Sequence, residues 1–205
     1  MRDCAGEGSL SNHDFHRLRH VVLKELPMRS ALLVIDVQRH LFDDASRPFE
    51  ADATIERINA LSARARQAKV PVIFVQHETE SGAMVRGSDG WQLATGLLVA
   101  DGDQHVRKTT PDSFLRTALG ELLADQATEN VIVCGYASEF CVDTTVRRAA
   151  ALGYSVTIAA DAHTTHDKPH ASAAQIRAHH NATLPAITSF GKPIVAVPSG
   201  EINLG

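Results

Sequence analysis

Short apolar, β-branched runs recur along the chain, and stretches with apolar residues every three to four positions lie between them. Ala31 to Val37 (A-L-L-V-I-D-V), Pro71 to Gln76, Gln104 to Arg107, Val131 to Val133, Ser155 to Ala160 and part of Ile187 to Val197 read as strands. Ile55, Ile58, Leu61 and Ala65 mark one helical face, and Val142, Val146 and Ala149 another; Phe114–Asp125 and Pro169–Leu184 also read as helices. Strands without polar alternation are covered on both faces. The alternation predicts an α/β fold: a doubly wound, mostly parallel six-stranded sheet with helices on both faces and right-handed crossovers. In the strand order 3-2-1-4-5-6, strands one and four are neighbours at the switch point, and ligands bind outside the carboxyl ends there. The 205 residues suffice for one such domain, predicted over 30–205. Residues 1–29 are polar and histidine-rich and read as an arm. Phe15, Leu18, Val22 and Leu26 predict a short amphipathic helix in it, and Cys4 lies near its tip.

The polar residues that interrupt this pattern fall at strand ends. Asp36 closes the first strand, and a buried carboxylate needs a partner or a job. Gln38 and Phe42 follow in the loop, His77 and Glu78 end the second strand, and Lys108 closes the third. The segment Ser81–Leu93 is rich in glycine and polar residues, carries the only tryptophan, Trp91, and reads as a loop over a site. Cys141 stands just after the fourth strand, in the first turn of a helix that Ser138 is placed to cap. Unpaired N–H groups and the positive end of the helix dipole favour a thiolate there, so Cys141 is a candidate nucleophile as well as a candidate core residue. Cys134, inside the apolar run, reads as an inert core thiol. Phe140, beside Cys141, joins Gln38, Phe42, His77 and Trp91 as candidate pocket residues.

Net charge is −4 and no basic stripe is present, which argues against nucleic acid as a partner. No apolar run is long enough for a bilayer, so no membrane partner is expected. Three cysteines without paired spacing suggest a reducing, cytoplasmic setting. Neither G-x-G-x-x-G nor G-x-x-x-x-G-K-[ST] occurs, which argues against a nucleotide-dependent enzyme.

Four motifs together resemble the isochorismatase-like cysteine hydrolase superfamily: A-L-L-V-I-D-V-Q-x-x-x-F at Ala31–Phe42, R-K-T-T-P-D-S-F at Arg107–Phe114, G-Y-A-S-E-F-C-V-D-T-T-V-R-R-A at Gly135–Ala149, and L-G-Y-S-V-T-I-A-A-D-A-H-T-T at Leu152–Thr165. The resemblance implies a catalytic triad of Asp36, Lys108 and Cys141, no cofactor, a small-molecule substrate, and a homo-oligomer, dimer or tetramer. It also implies a cis peptide before Ser138, between Ala137 and Ser138. True isochorismatases, which cleave a vinyl ether, lack the nucleophilic cysteine, so Cys141 favours hydrolysis of a small amide, ureide or carbamoyl C–N bond through a thioester. Vinyl ether hydrolysis and a non-catalytic binding or thiol-sensor role are the alternatives. The backbone N–H of Cys141, with that of Ala137 or Ser138, would form the oxyanion hole. Nicotinamidases of the superfamily carry a metal site with an aspartate and histidines. Residues 43–58 contain no histidine, and His163, His166 and His170 are poorly spaced for zinc, so no metal is expected.

Overall fold

In the computed structural model, residues 28–204 are described. The helix expected around Phe15–Leu26, and Cys4, lie outside them. The sheet has six parallel strands in the order β3-β2-β1-β4-β5-β6: β1 (Ser30–Ile35), β2 (Val72–His77), β3 (Gln104–Lys108), β4 (Asn130–Tyr136), β5 (Ser155–Thr164) and β6 (Ile194–Val197). The helices are α1 (Arg39–Phe42), α2 (Ala51–Gln67), α3 (Leu119–Asp125), α4 (Asp143–Ala151) and α5 (Ala173–Thr183).

Period-two alternation sorts each strand's side chains between two cores. Leu33 and Ile35 of β1 join Val131 and Val133 of β4 and Val146 of α4 on one face. Leu32 and Val34 join Phe74, Ile132 and Cys134 on the other, against Ile55, Ile58, Leu61 and Ala65 of α2. The helical face read from spacing is therefore the face α2 buries, although the helix begins earlier, at Ala51.

Three elements differ from expectation, each because side-chain hydrogen bonds outweigh apolar spacing. The stretch after Phe114 is not helical until Leu119. Asp112 Oδ1 accepts from the Phe114 N–H at 2.8 Å, Thr117 Oγ1 donates to the Ser113 carbonyl at 2.6 Å, and Arg116 takes a left-handed φ of 59°. Helix α5 starts at Ala173 rather than Pro169, because Ser172 and Gln175 form a reciprocal capping box. Strand β5 runs past Asp161 to Thr164. Asp161 is turned aside to accept from the Ser199 N–H at 2.6 Å, while Ala162 and His163 stay fully buried.

Gly135 brings β1 and β4 together at the switch point. Its φ is +114°, and a Cβ there would lie 2.1 Å from the Ile35 carbonyl oxygen and 2.7 Å from the Ile35 nitrogen. Only glycine allows this approach. The β4–β5 register shifts at the same place, between Val133 and Gly135.

Candidate active site

Strand register aligns the polar strand ends. Ile35, just before Asp36, pairs with both Val75 and Gly135, and His77 pairs with Lys108. Asp36 leaves β1 with a left-handed φ of 51°, a conformation aspartate tolerates better than most residues. Its carboxylate is thereby placed among the ends of β1, β2 and β3. Lys108 Nζ lies 2.7 Å from Asp36 Oδ2, 3.2 Å from Cys141 Sγ and 3.4 Å from His77 Nδ1. The lysine side chain has no exposed surface and that of Asp36 only 3%. Asp36 Oδ1 is buried without a hydrogen-bond partner among the described residues.

Burial pushes the Cys141 thiol up to about 12. The negative charge of Asp36 adds to that, and Lys108 offsets part of it. The resting sulfur is therefore a thiol, hydrogen-bonded to the Asp36 carboxylate. The sequence predicts that the helix terminus favours a thiolate; here desolvation and the Asp36 charge act the other way and raise the thiol. Burial, with the Lys108 charge second, holds His77 below its usual value and so neutral. A lysine can only donate, so His77 Nδ1 accepts and Nε2 carries the ring proton.

The nucleophile's turn is not an ordinary helix start. Residues Ser138–Val142 wind as a π-helical turn. The Ala137 carbonyl accepts from Phe140 N–H (3.0 Å) and Val142 N–H (3.1 Å), whereas an α-turn would take the Cys141 N–H. Ser138 does not cap the helix with its side chain. Its Oγ lies 2.8 Å from His163 Nδ1, and His163 Nε2 lies 2.9 Å from Asn181 Oδ1. Asn181 Nδ2 donates to the Ala160 carbonyl, so its oxygen faces the imidazole. His163 therefore carries its proton on Nε2 and accepts from Ser138. The cis peptide expected between Ala137 and Ser138 lies one residue earlier, between Tyr136 and Ala137.

His163 ties this turn's stability to pH. Burial lowers its pKa from 6.5 to about 4. Between those values the unfolded chain binds a proton that the folded chain does not. This contribution is therefore complete above pH 6.5 and is lost as pH falls toward 4, by roughly 3 kcal/mol at about 1.4 kcal/mol per pH unit. Urea unfolding at pH 7.5 and 4.5 should show a drop that is smaller by about 2–3 kcal/mol in His163→Gln than in wild type, His77 carrying a further part in both. Equal drops would show that another group carries it.

A cleft of about 240 Å³ opens over the sulfur. Asp36, His77, Ala137 and Cys141 form its floor, and Leu41, Met84, Pro111, Tyr136 and Phe140 its walls. Of the pocket residues expected from sequence, His77 and Phe140 are there, and Phe140 is 54% exposed. Three are not. Phe42 is buried in the core with its ring edge against Tyr136. Gln38 is buried and clamps β2, donating to the His77 and Trp91 carbonyls and accepting from the His77 N–H. Trp91 offers the loop's anchoring carbonyl, which Gln76 also reaches, and does not line the cleft. Sequence reasoning missed Tyr136 and Pro111, both inside quoted motifs, and Leu41, between two quoted residues. Met84 carried no local signal. Larger hollows lie by Met28, Lys69 and Leu204, and by Glu139, His170 and His179, but neither reaches Cys141.

Comparison with known proteins identifies the family and the fold. A streptothricin hydrolase from Streptomyces noursei is 39% identical over 140 residues, covering 68% of this chain and 51% of that protein. The chain thus spans about half the length of the streptothricin hydrolases it matches. A secreted isochorismatase effector from Verticillium dahliae is 32% identical over 149 residues, 72% of this chain and 78% of the effector. The crystal structure of an isochorismatase family protein, 36% identical, superposes with a TM-score of 0.74 over 82% of this chain and 98% of that one. The isochorismatase domain family matches residues 30–189, a span that holds every strand but β6 and every residue of the cleft, and the chain belongs to that family.

Proposed function

We propose that the chain hydrolyses a C–N bond of a small amide, ureide or carbamoyl substrate through a thioester on Cys141. One observation carries the reading: Lys108 Nζ bridges Asp36 Oδ2 and Cys141 Sγ at 2.7 and 3.2 Å beneath a cleft. Asp36 takes the thiol proton, and Lys108 stabilises the carboxylate before the transfer and the thiolate after it. Sulfur attacks the carbonyl carbon, and the C–N bond breaks as the nitrogen takes the proton from Asp36. Water then attacks the thioester and releases the acid and the thiol. The Cys141 N–H, with that of Ala137 or Ser138, holds the oxyanion. The π winding supports this, because it withdraws the Ala137 carbonyl from Cys141. The thiol-sensor alternative lacks support among the described residues, where the other cysteine, Cys134, is fully buried, with its thiol pushed far up by desolvation. The similar streptothricin hydrolase is itself named for a hydrolysis.

The test is ammonia or amine release across small amides, ureides and carbamoyl compounds, with Cys141→Ala as blank. A screen in which no compound is turned over above that blank would remove the reading.

The residues present do not suit the metal site of the family's nicotinamidases. Both Asp43 carboxylate oxygens face the Thr95 N–H, and one of them also accepts from the Thr95 hydroxyl. No group of three metal-ligating side chains comes together among the described residues. His166 instead meets the Tyr136 hydroxyl and the Ser46 carbonyl. Turnover is expected to survive exhaustive chelation unchanged. Loss restored by zinc, iron or manganese would reverse this.

A further inference from the structure

We infer that the substrate's acyl part is uncharged and largely apolar, and that amides bearing a carboxylate are excluded. This rests on the hydrolase reading and names its substrate class. The cleft walls above the sulfur are Leu41, Met84, Pro111 and Phe140. The fifth wall residue, Tyr136, has its hydroxyl turned to His166 Nδ1 at 2.9 Å. No lysine or arginine lines the cleft, and Lys168, whose Nζ stands 5.4 Å from the centre of the Phe140 ring, is paired with Glu139 Oε1 at 3.3 Å. The cation behind it, Lys108, has three donor protons and three partners: Asp36, Cys141 and His77. It has none left for a substrate carboxylate, which would also meet the negative charge of Asp36. His77 is neutral, with its backbone clamped by Gln38, and offers a single Nε2–H. One neutral donor can serve an amide but cannot match a buried anion, whose unmet desolvation is costly. The volume of about 240 Å³ lies below the roughly 300–1,000 Å³ of sites for drug-sized ligands, so the acyl part is small.

The experiment compares butyramide and methyl succinamate, both neutral, with succinamate, an anion close in size to the ester. Ammonia release is read together with protection of Cys141 from iodoacetamide, measured by peptide mass. Butyramide and the ester should be turned over and should protect. Succinamate should show kcat/KM lower by about 100-fold or more, the scale of an unpaired buried charge. Leu41→Arg, which adds a cation to the wall, should narrow that gap about tenfold or more. Protection by the two neutral compounds without turnover would leave the selectivity standing and remove the hydrolase reading. Turnover of succinamate at the ester's rate would keep the hydrolase and overturn the inference. Equal protection by all three compounds would overturn it as well.

Discussion

Cys141→Ala should abolish turnover, by about 10⁴-fold or more, the scale seen when an enzyme loses its nucleophile. The fold should remain. The residue is half-buried at the edge of one core, and alanine keeps the helical turn while removing one sulfur. A melting temperature within a few degrees of wild type would be the control. In the wild type, loss of activity should track alkylation of the Cys141 peptide one for one. Cys134 should stay unmodified, since it is fully buried with Sγ 3.4 Å from the Leu33 carbonyl. Substantial activity in a pure, folded Cys141→Ala protein would end the covalent mechanism.

Asp36→Asn and Lys108→Met should each slow acylation by about two orders of magnitude or more, but should move the sulfur in opposite directions. Asp36 raises the Cys141 pKa and Lys108 lowers it. Removing the aspartate charge should therefore bring the thiol down from about 12 and speed iodoacetamide labelling at pH 8, even as turnover collapses. Removing the lysine should slow both. A general structural defect would not split labelling from turnover in this way. Lys108→Met also leaves a buried carboxylate unpaired, at a cost of about 3–5 kcal/mol, so its melting temperature must be read beside its rates. Labelling that slows in Asp36→Asn would show that the aspartate does not hold the thiol in its neutral form.

The sheet was legible because its signal is redundant: Leu33 and Val131 are apolar, β-strand-compatible and placed at the right spacing all at once. Asp36, Lys108 and Cys141 stood out for a related reason, as polar or reactive residues in positions that apolar pattern and motif had already assigned. Phe42 and Gln38 were misplaced because proximity in sequence to Asp36 does not say which way a side chain turns. Phe42 follows the core stripe, and the Gln38 amide finds better partners in the backbone of His77. Met84 reaches the cleft only through the fold of a long loop, which leaves no periodic trace. The helix starts at Ala173 and Leu119 depended on the side chains of Ser172 and Gln175, and of Asp112 and Thr117, choosing backbone partners, and apolar spacing is blind to that choice.

The π-helical turn at Ser138–Val142 has a consequence for comparing this chain with others. Such a turn holds one residue more than a regular helix needs, so it behaves as a one-residue insertion between Gly135 and Cys141. Deleting one residue there would restore plain α winding and swing the sulfur about 100° around the helix axis, away from Asp36 and Lys108. In a relative, the distance in sequence from the strand glycine to the cysteine is thus a stricter mark of shared chemistry than the presence of a cysteine.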